Sequence, residues 1–174
     1  MENQSLPLKN HILQYGSLLG GISVVFGLMI YFLDMHYSQE TSILYVSLAM
    51  TLGVLVLAMI NYRKDNDGFM SLGEALKLGL GIALVSAAFG VAYQILLVTV
   101  IDPDTISKMM DVAEMKILDE NPEIPREQLD QILAMQEKGG SPMWIAISGF
   151  AGSLILCFIF SLISGLILKR NRPE

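Results

Sequence analysis

PMWIAISGFAGSLILCFIFSLISGLIL, residues Pro142 to Leu168, contains no Asp, Glu, Lys, Arg or His. At 1.5 Å per helical residue, about twenty such residues cross the roughly 30 Å hydrocarbon core of a bilayer. Only a helix satisfies every backbone N–H and C=O of such a run in lipid. Working back along the chain, Ile12 to Leu33, Thr41 to Tyr62 and Leu78 to Ile101 have the same character. The sequence therefore predicts an all-α membrane protein, a single membrane domain over residues 1–174, with spans at about 12–33, 41–62, 72–101 and 142–168. The first run is too long for the core of a secretory signal, and no small-x-small cleavage pattern follows Leu33, so it is expected to stay as a span.

Composition agrees. The chain is 53% hydrophobic and only 16% charged, against about 25% charged in soluble domains. A net charge of -6 removes nucleic acid from the partners, because affinity for phosphate backbones comes from clustered Lys and Arg. The single cysteine, Cys157, forms no intramolecular disulfide and assembles no thiolate metal cluster; inside an apolar run it reads as a packing residue.

Charge gives the spans a direction. Lys9, Arg63, Lys64, Lys77, Lys169, Arg170 and Arg172 fall on the side that carries the two termini, whereas Lys108, Lys116, Arg126 and Lys138 all lie in the one long connection opposite. Cations near span ends are retained in the cytoplasm, so both termini are expected there. Twelve of the seventeen acidic residues sort to the other side.

Local signals set the ends of the helices. Ser71-Leu72-Gly73-Glu74 has the capping-box pattern, which starts the third helix near Leu72 and brings Lys77 to the interface. Asp65-Asn66-Asp67-Gly68 misplaces the glycine of a calcium loop and lacks its closing glutamate, so it reads as a turn. Residues 102–141 form the sole sizeable segment outside the spans and read as a helical hairpin. Asp102-Pro103 is expected to cap a helix carrying Ile106, Met109, Met110, Ala113 and Ile117 on one face and ending near Glu120, before Asn121-Pro122. A second helix from about Pro125 carries Leu129, Ile132, Leu133 and Met135 and stops at Gly139-Gly140. Ser141-Pro142 caps the last span, and Trp144 sits where an interfacial aromatic belongs.

Chemistry-bearing constellations are few. Gly149, Ser153, Cys157, Ser161 and Gly165 recur at four-residue spacing along the last span. Such a stripe lets helix backbones approach closely in lipid, either within the chain or between two copies. Shorter versions occur in the first span (Gly16, Gly20, Ser23, Gly27) and the third (Gly79, Ala83, Ser86, Ala87, Gly90). Asp111, Glu114, Asp119, Glu120 and Glu123 give the hairpin an acidic face, read as a solvated surface or an interaction face rather than a cation site. Intramembrane charges, which mark ion and proton pathways, are missing from all four runs. Tyr93 and Gln94 lie in the hairpin-side half of the third span, where an interhelical hydrogen bond is expected of Gln94. His11 and His36 fall on opposite faces and cannot share a site. The methionines Met109, Met110, Met115, Met135 and Met143 have no His or Cys close by in sequence, so packing is expected of them rather than soft-metal binding. No catalytic residue, cofactor or metal is expected.

Asp67-Gly68-Phe69-Met70-Ser71-Leu72-Gly73-Glu74-Ala75-Leu76-Lys77-Leu78-Gly79, leading into the third span, and Ile101-Asp102-Pro103, leaving it, carry a resemblance to the membrane family called domain of unknown function 4199, found mainly in Bacteroidetes. It covers about residues 8 to 170. The resemblance implies a four-span protein of the bacterial inner membrane and supplies no activity.

The expected function is that of a noncatalytic membrane protein, embedded in lipid, whose acidic hairpin and small-residue helix faces mediate assembly with a second copy or a membrane-protein partner. The alternative is a small-solute transporter or channel subunit acting as an oligomer, with a membrane enzyme third.

Overall fold

A computed structural model describes residues 8–37 and 40–171; Arg172, counted above among the terminal-side cations, lies outside them. Among the described residues six α-helices run in order: α1 (Leu8–Phe32), α2 (Thr41–Asp65), α3 (Leu72–Leu96), α4 (Thr105–Glu120), α5 (Arg126–Gly139) and α6 (Pro142–Leu168). A π-helical turn, Leu97–Ile101, extends α3. Helices α1, α2, α3 with its π turn, and α6 are each long and apolar enough to cross a membrane. No strand forms among the described residues. One isolated backbone bridge ties Met70 to Arg170.

Helix α3 is the axis of the bundle, and α1 and α6 make most of their contacts with it. Its two faces are built differently. Toward α1, large side chains of α3 enter glycine notches: a β-carbon on Gly16 would stand 2.6 Å from Cβ of Val85, and one on Gly20 2.8 Å from Phe89. Tyr93 packs in the same way against Gly27. The partners advance together along both helices, so the two run parallel. Toward α6 the order reverses. Gly79 meets Ser161, Val91 meets Gly149, and Ala75 meets Gly165, while the Ser153 hydroxyl donates to the carbonyl of Ala83 at 3.3 Å. Backbones approach this closely only where neither helix carries bulk, and in lipid that contact is itself the driving force.

Helix α2 docks over its second half alone. Val54, Leu55, Ala58, Met59 and Tyr62 are buried at helical spacing, against a core of Tyr15, Leu19, Leu78, Ile82 and Ala83. Its first half leaves Leu44, Tyr45 and Val46 exposed. On that half Ser47 donates to the carbonyl of Ile43 (2.8 Å) and Thr51 to that of Ser47 (2.9 Å). Such bonding back to the preceding turn loosens and bends a helix.

The terminal end of the bundle is tied together. Ser71 caps α3 with both hydrogen bonds of the capping box in place, and Glu74 also accepts from the Tyr62 hydroxyl at 2.9 Å. The α2–α3 turn places Asp67 and Gly68 at positive φ, 56° and 85°, where glycine is the residue without strain. Past α6, Met70 and Arg170 exchange backbone hydrogen bonds of 3.0 and 2.9 Å, and Arg63 donates to the carbonyl of Leu168.

Two expectations about the other end need correction. Asp102-Pro103 does not cap α4, which starts at Thr105 after Asp104. Asp102 follows the π turn, its amide donating to the carbonyl of Leu97 (2.8 Å), and its carboxylate is taken by two other side chains. Gln94 makes no interhelical hydrogen bond among the described residues, because it borders open space rather than a packed helix face.

Candidate functional site

Because α2 leans away over its first half, the hairpin-side half of the bundle is not filled. A cleft of about 460 Å³ opens there between α1, α2, α3 and α6, with Leu19, Thr51, Ser86, Gly90, Gln94, Ser148 and Cys157 among its walls. Above it, between the bundle and the hairpin, lies a second cavity of about 290 Å³ lined by Ile106, Met109 and Met110 of α4 and by Gln136, Gly139 and Gly140 near the end of α5. Gln94 and Ile145 border both spaces. Below the cleft the bundle closes, since Leu55, Met59, Tyr62, Leu78 and Ile82 are fully buried.

The walls are less polar than their residue types suggest. Thr51 and Ser148 donate to carbonyls of their own helices, Ser86 to that of Ala83, and Ser153 crosses to the same carbonyl. Four of the five lining hydroxyls thus spend their protons on backbone. Gln94 keeps a carboxamide without a hydrogen bond among the described residues.

A clasp holds the rim. His36, between α1 and α2, donates from Nε2 to Asp102 Oδ2 at 3.0 Å, and Lys108 of α4 donates to the same oxygen at 2.9 Å. The His36 side chain is 4% exposed and is flanked by the rings of Tyr31 and Tyr37. The hydrogen bonds from Lys108 and then His36 hold the Asp102 carboxyl down at about 2, and Asp102 in turn raises Lys108. Nothing in the local sequence joins His36 to Asp102. The π turn, which inserts an extra residue and re-aims the chain, makes that meeting.

The predicted site residues divide. Gly149, Ser153, Cys157, Ser161 and Gly165 all belong to the side of α6 that packs against α3 or borders the cleft, so the stripe is occupied within the chain. Asp111, Glu114, Asp119, Glu120 and Glu123 are all exposed on α4 and the turn after it. Among the described residues no group of three His, Cys, Asp or Glu is placed to hold a metal ion. His11 lies at the terminal end, bonded to Asp65 at 3.0 Å, and His36 at the other. The hairpin buries Ala113 and Leu129 as its own small core and leaves Met115, Leu118, Ile132 and Met135 exposed. The cleft and the free Gln94 were missed in the sequence; an unpaired amide in an otherwise apolar run was the one signal available.

The model of one family, described as Protein of unknown function (DUF4199), matches residues 14–170, nearly the whole chain. The chain belongs to that family. No curated protein and no solved structure matches it. Membership in the DUF4199 family carries no activity with it, so function has to be argued from the cleft, the clasp and the hairpin themselves.

Proposed function

We propose that this DUF4199 protein is a noncatalytic protein of the bacterial inner membrane, with both termini cytoplasmic, that holds a protein partner on its extracytoplasmic hairpin. The exposed apolar side chains of that hairpin carry the reading. Met135 is 75% and Ile132 37% exposed although the helices around them have a formed core, and contact patches of this kind, apolar with a charged surround, are what protein partners cover. The small-residue stripe of α6 faces α3 and the cleft inside the bundle, which leaves the hairpin as the surface for assembly. Ten acidic residues against four basic ones between Asp102 and Ser141 favour a partner with a cationic rim over a second copy of the same acidic face.

A photo-crosslinking side chain placed at Met135 in native membranes tests this. The expected product is one discrete heteromeric adduct, weakened by salt and by changing Asp111, Glu114, Asp119, Glu120 and Glu123 to their amides. An adduct of twice the chain mass would replace the partner by a second copy, and no discrete adduct would end the proposal. A cysteine at Asp111 labelled by an impermeant reagent from the extracytoplasmic side of intact cells checks the orientation; protection there would reverse it. The cleft motivates the second reading, a solute pathway, but the packed terminal-side half of the bundle weighs against a conduit within one chain. Solute flux through reconstituted vesicles would revive it.

A further inference from the structure

We infer that the cleft is a binding site for one acyl chain of a lipid from the hairpin-side leaflet, with the lipid's polar head meeting the Gln94 carboxamide under the hairpin. The space lies among helices whose surroundings are hydrocarbon, and a void of about 460 Å³ open to that medium does not stay empty, because its walls would forgo their dispersion contacts. Shape selects a chain. The walls run from Ser86 to Gln94 on α3 and from Cys157 to Ile145 on α6, about 12 and 18 Å at the helical rise, which brackets the roughly 15 Å of one leaflet's hydrocarbon. Chemistry orients it. Along the depth of the cleft four of the five hydroxyls are already bonded to backbone, which leaves Ser23 as the one lining hydroxyl still able to donate, so the wall is largely apolar. At the upper end, where cleft and hairpin cavity meet, Gln94 offers both a donor and an acceptor. The acidic hairpin above disfavours an anionic head, and Lys108, one of its four cations, is held by Asp102. The occupant is accordingly a lipid whose head has no net negative charge. This inference is independent of what the hairpin contacts.

Two glycines supply matched probes. A β-carbon on Gly90, which lines the cleft, meets nothing within 4 Å, and neither does one on Gly152, which does not line it. Gly90→Phe should fill the cleft without disturbing the helices, and Gly152→Phe adds the same ring elsewhere. The full chain is reconstituted into phosphatidylethanolamine–phosphatidylglycerol vesicles holding a trace of phosphatidylethanolamine with a mid-chain diazirine. After irradiation, adducts are mapped by mass spectrometry. Adducts on Thr51, Ser86 and Cys157 are expected, lost in Gly90→Phe and retained in Gly152→Phe. Labelling of the exposed residues Ile155 and Ile167 alone, or cleft adducts that survive Gly90→Phe, would overturn the site. The wild-type map decides the question even if Gly90→Phe does not fold. The same diazirine chain on phosphatidylglycerol should label the cleft less; equal labelling would overturn the head-group assignment.

Discussion

A methyl group added at Gly79 would occupy space held by the hydroxyl and β-carbon of Ser161, at the centre of the α3–α6 contact. Ser161 is fully buried and has little room to turn away, so relief requires the helices to part. Overpacking of this kind costs about 1–3 kcal/mol. Alanine in place of glycine returns at most about 1 kcal/mol of helix propensity. Gly79→Ala should therefore lose on the order of 1–2 kcal/mol, whereas Gly53→Ala, whose new methyl meets nothing within 4 Å, should be neutral or gain up to about 1 kcal/mol. The double variant Gly79→Ala/Ser161→Gly removes the obstructing side chain and should recover at least about 0.5 kcal/mol of the loss as coupling between contacting sites. Detergent titration in mixed micelles, followed by the fluorescence of Trp144, the chain's one tryptophan, measures all three. Equal effects of Gly79→Ala and Gly53→Ala, or a double variant no better than additive, would refute the close-approach account of this helix pair.

Other perturbations separate the remaining contacts. The Asp102 carboxyl sits at about 2, below the ordinary value near 4. A depressed carboxyl stabilises the folded state above its unfolded value and loses that contribution as pH falls through the folded one. Protease cleavage between α1 and α2 should thus rise between pH 4 and 2 in the wild type, measured with an acid-active protease, and be raised already at pH 6 in Asp102→Asn. Ser71→Ala removes the acceptor for the Glu74 amide and should cost about 0.5–2 kcal/mol in the same titration. Tyr62→Phe deletes the hydroxyl donated to Glu74 and should cost about 1.5–3 kcal/mol, as for a hydrogen bond to a charged group; a neutral result would mean that Glu74 is already satisfied by Ser71.

The parts of the fold that could be read from sequence are those that lipid and local hydrogen bonding dictate. An uncharged run of bilayer length has one permitted backbone form, so the four long helices follow, and Ser71 with Glu74 and Ser141 with Pro142 mark two of their starts within a single turn. Asp102 shows where local reading stops. Its place before Pro103 looks like a cap, but its partners stand at positions 36 and 108, and the π turn that brings them together has no sequence signature of its own. The stripe on α6 was visible, but not its mate: Gly79 and Ser161 are paired by the antiparallel register of two helices eighty residues apart. The cleft was hidden for the same reason. It arises from where α2 leans, and that depends on the fit of Leu55, Met59 and Tyr62 to other helices rather than on any pattern within α2.

The central place of α3 also sets a schedule for making the protein. When α1 and α2 have entered the membrane, the helix that fills the notches at Gly16 and Gly20 has still to join them. The early product therefore displays a groove in α1 that a neighbouring chain can enter, and it stays in that condition until Val85 and Phe89 arrive. Until α3 is in place neither α1 nor α6 has the helix that it packs against most, so the bundle cannot close from its first half alone.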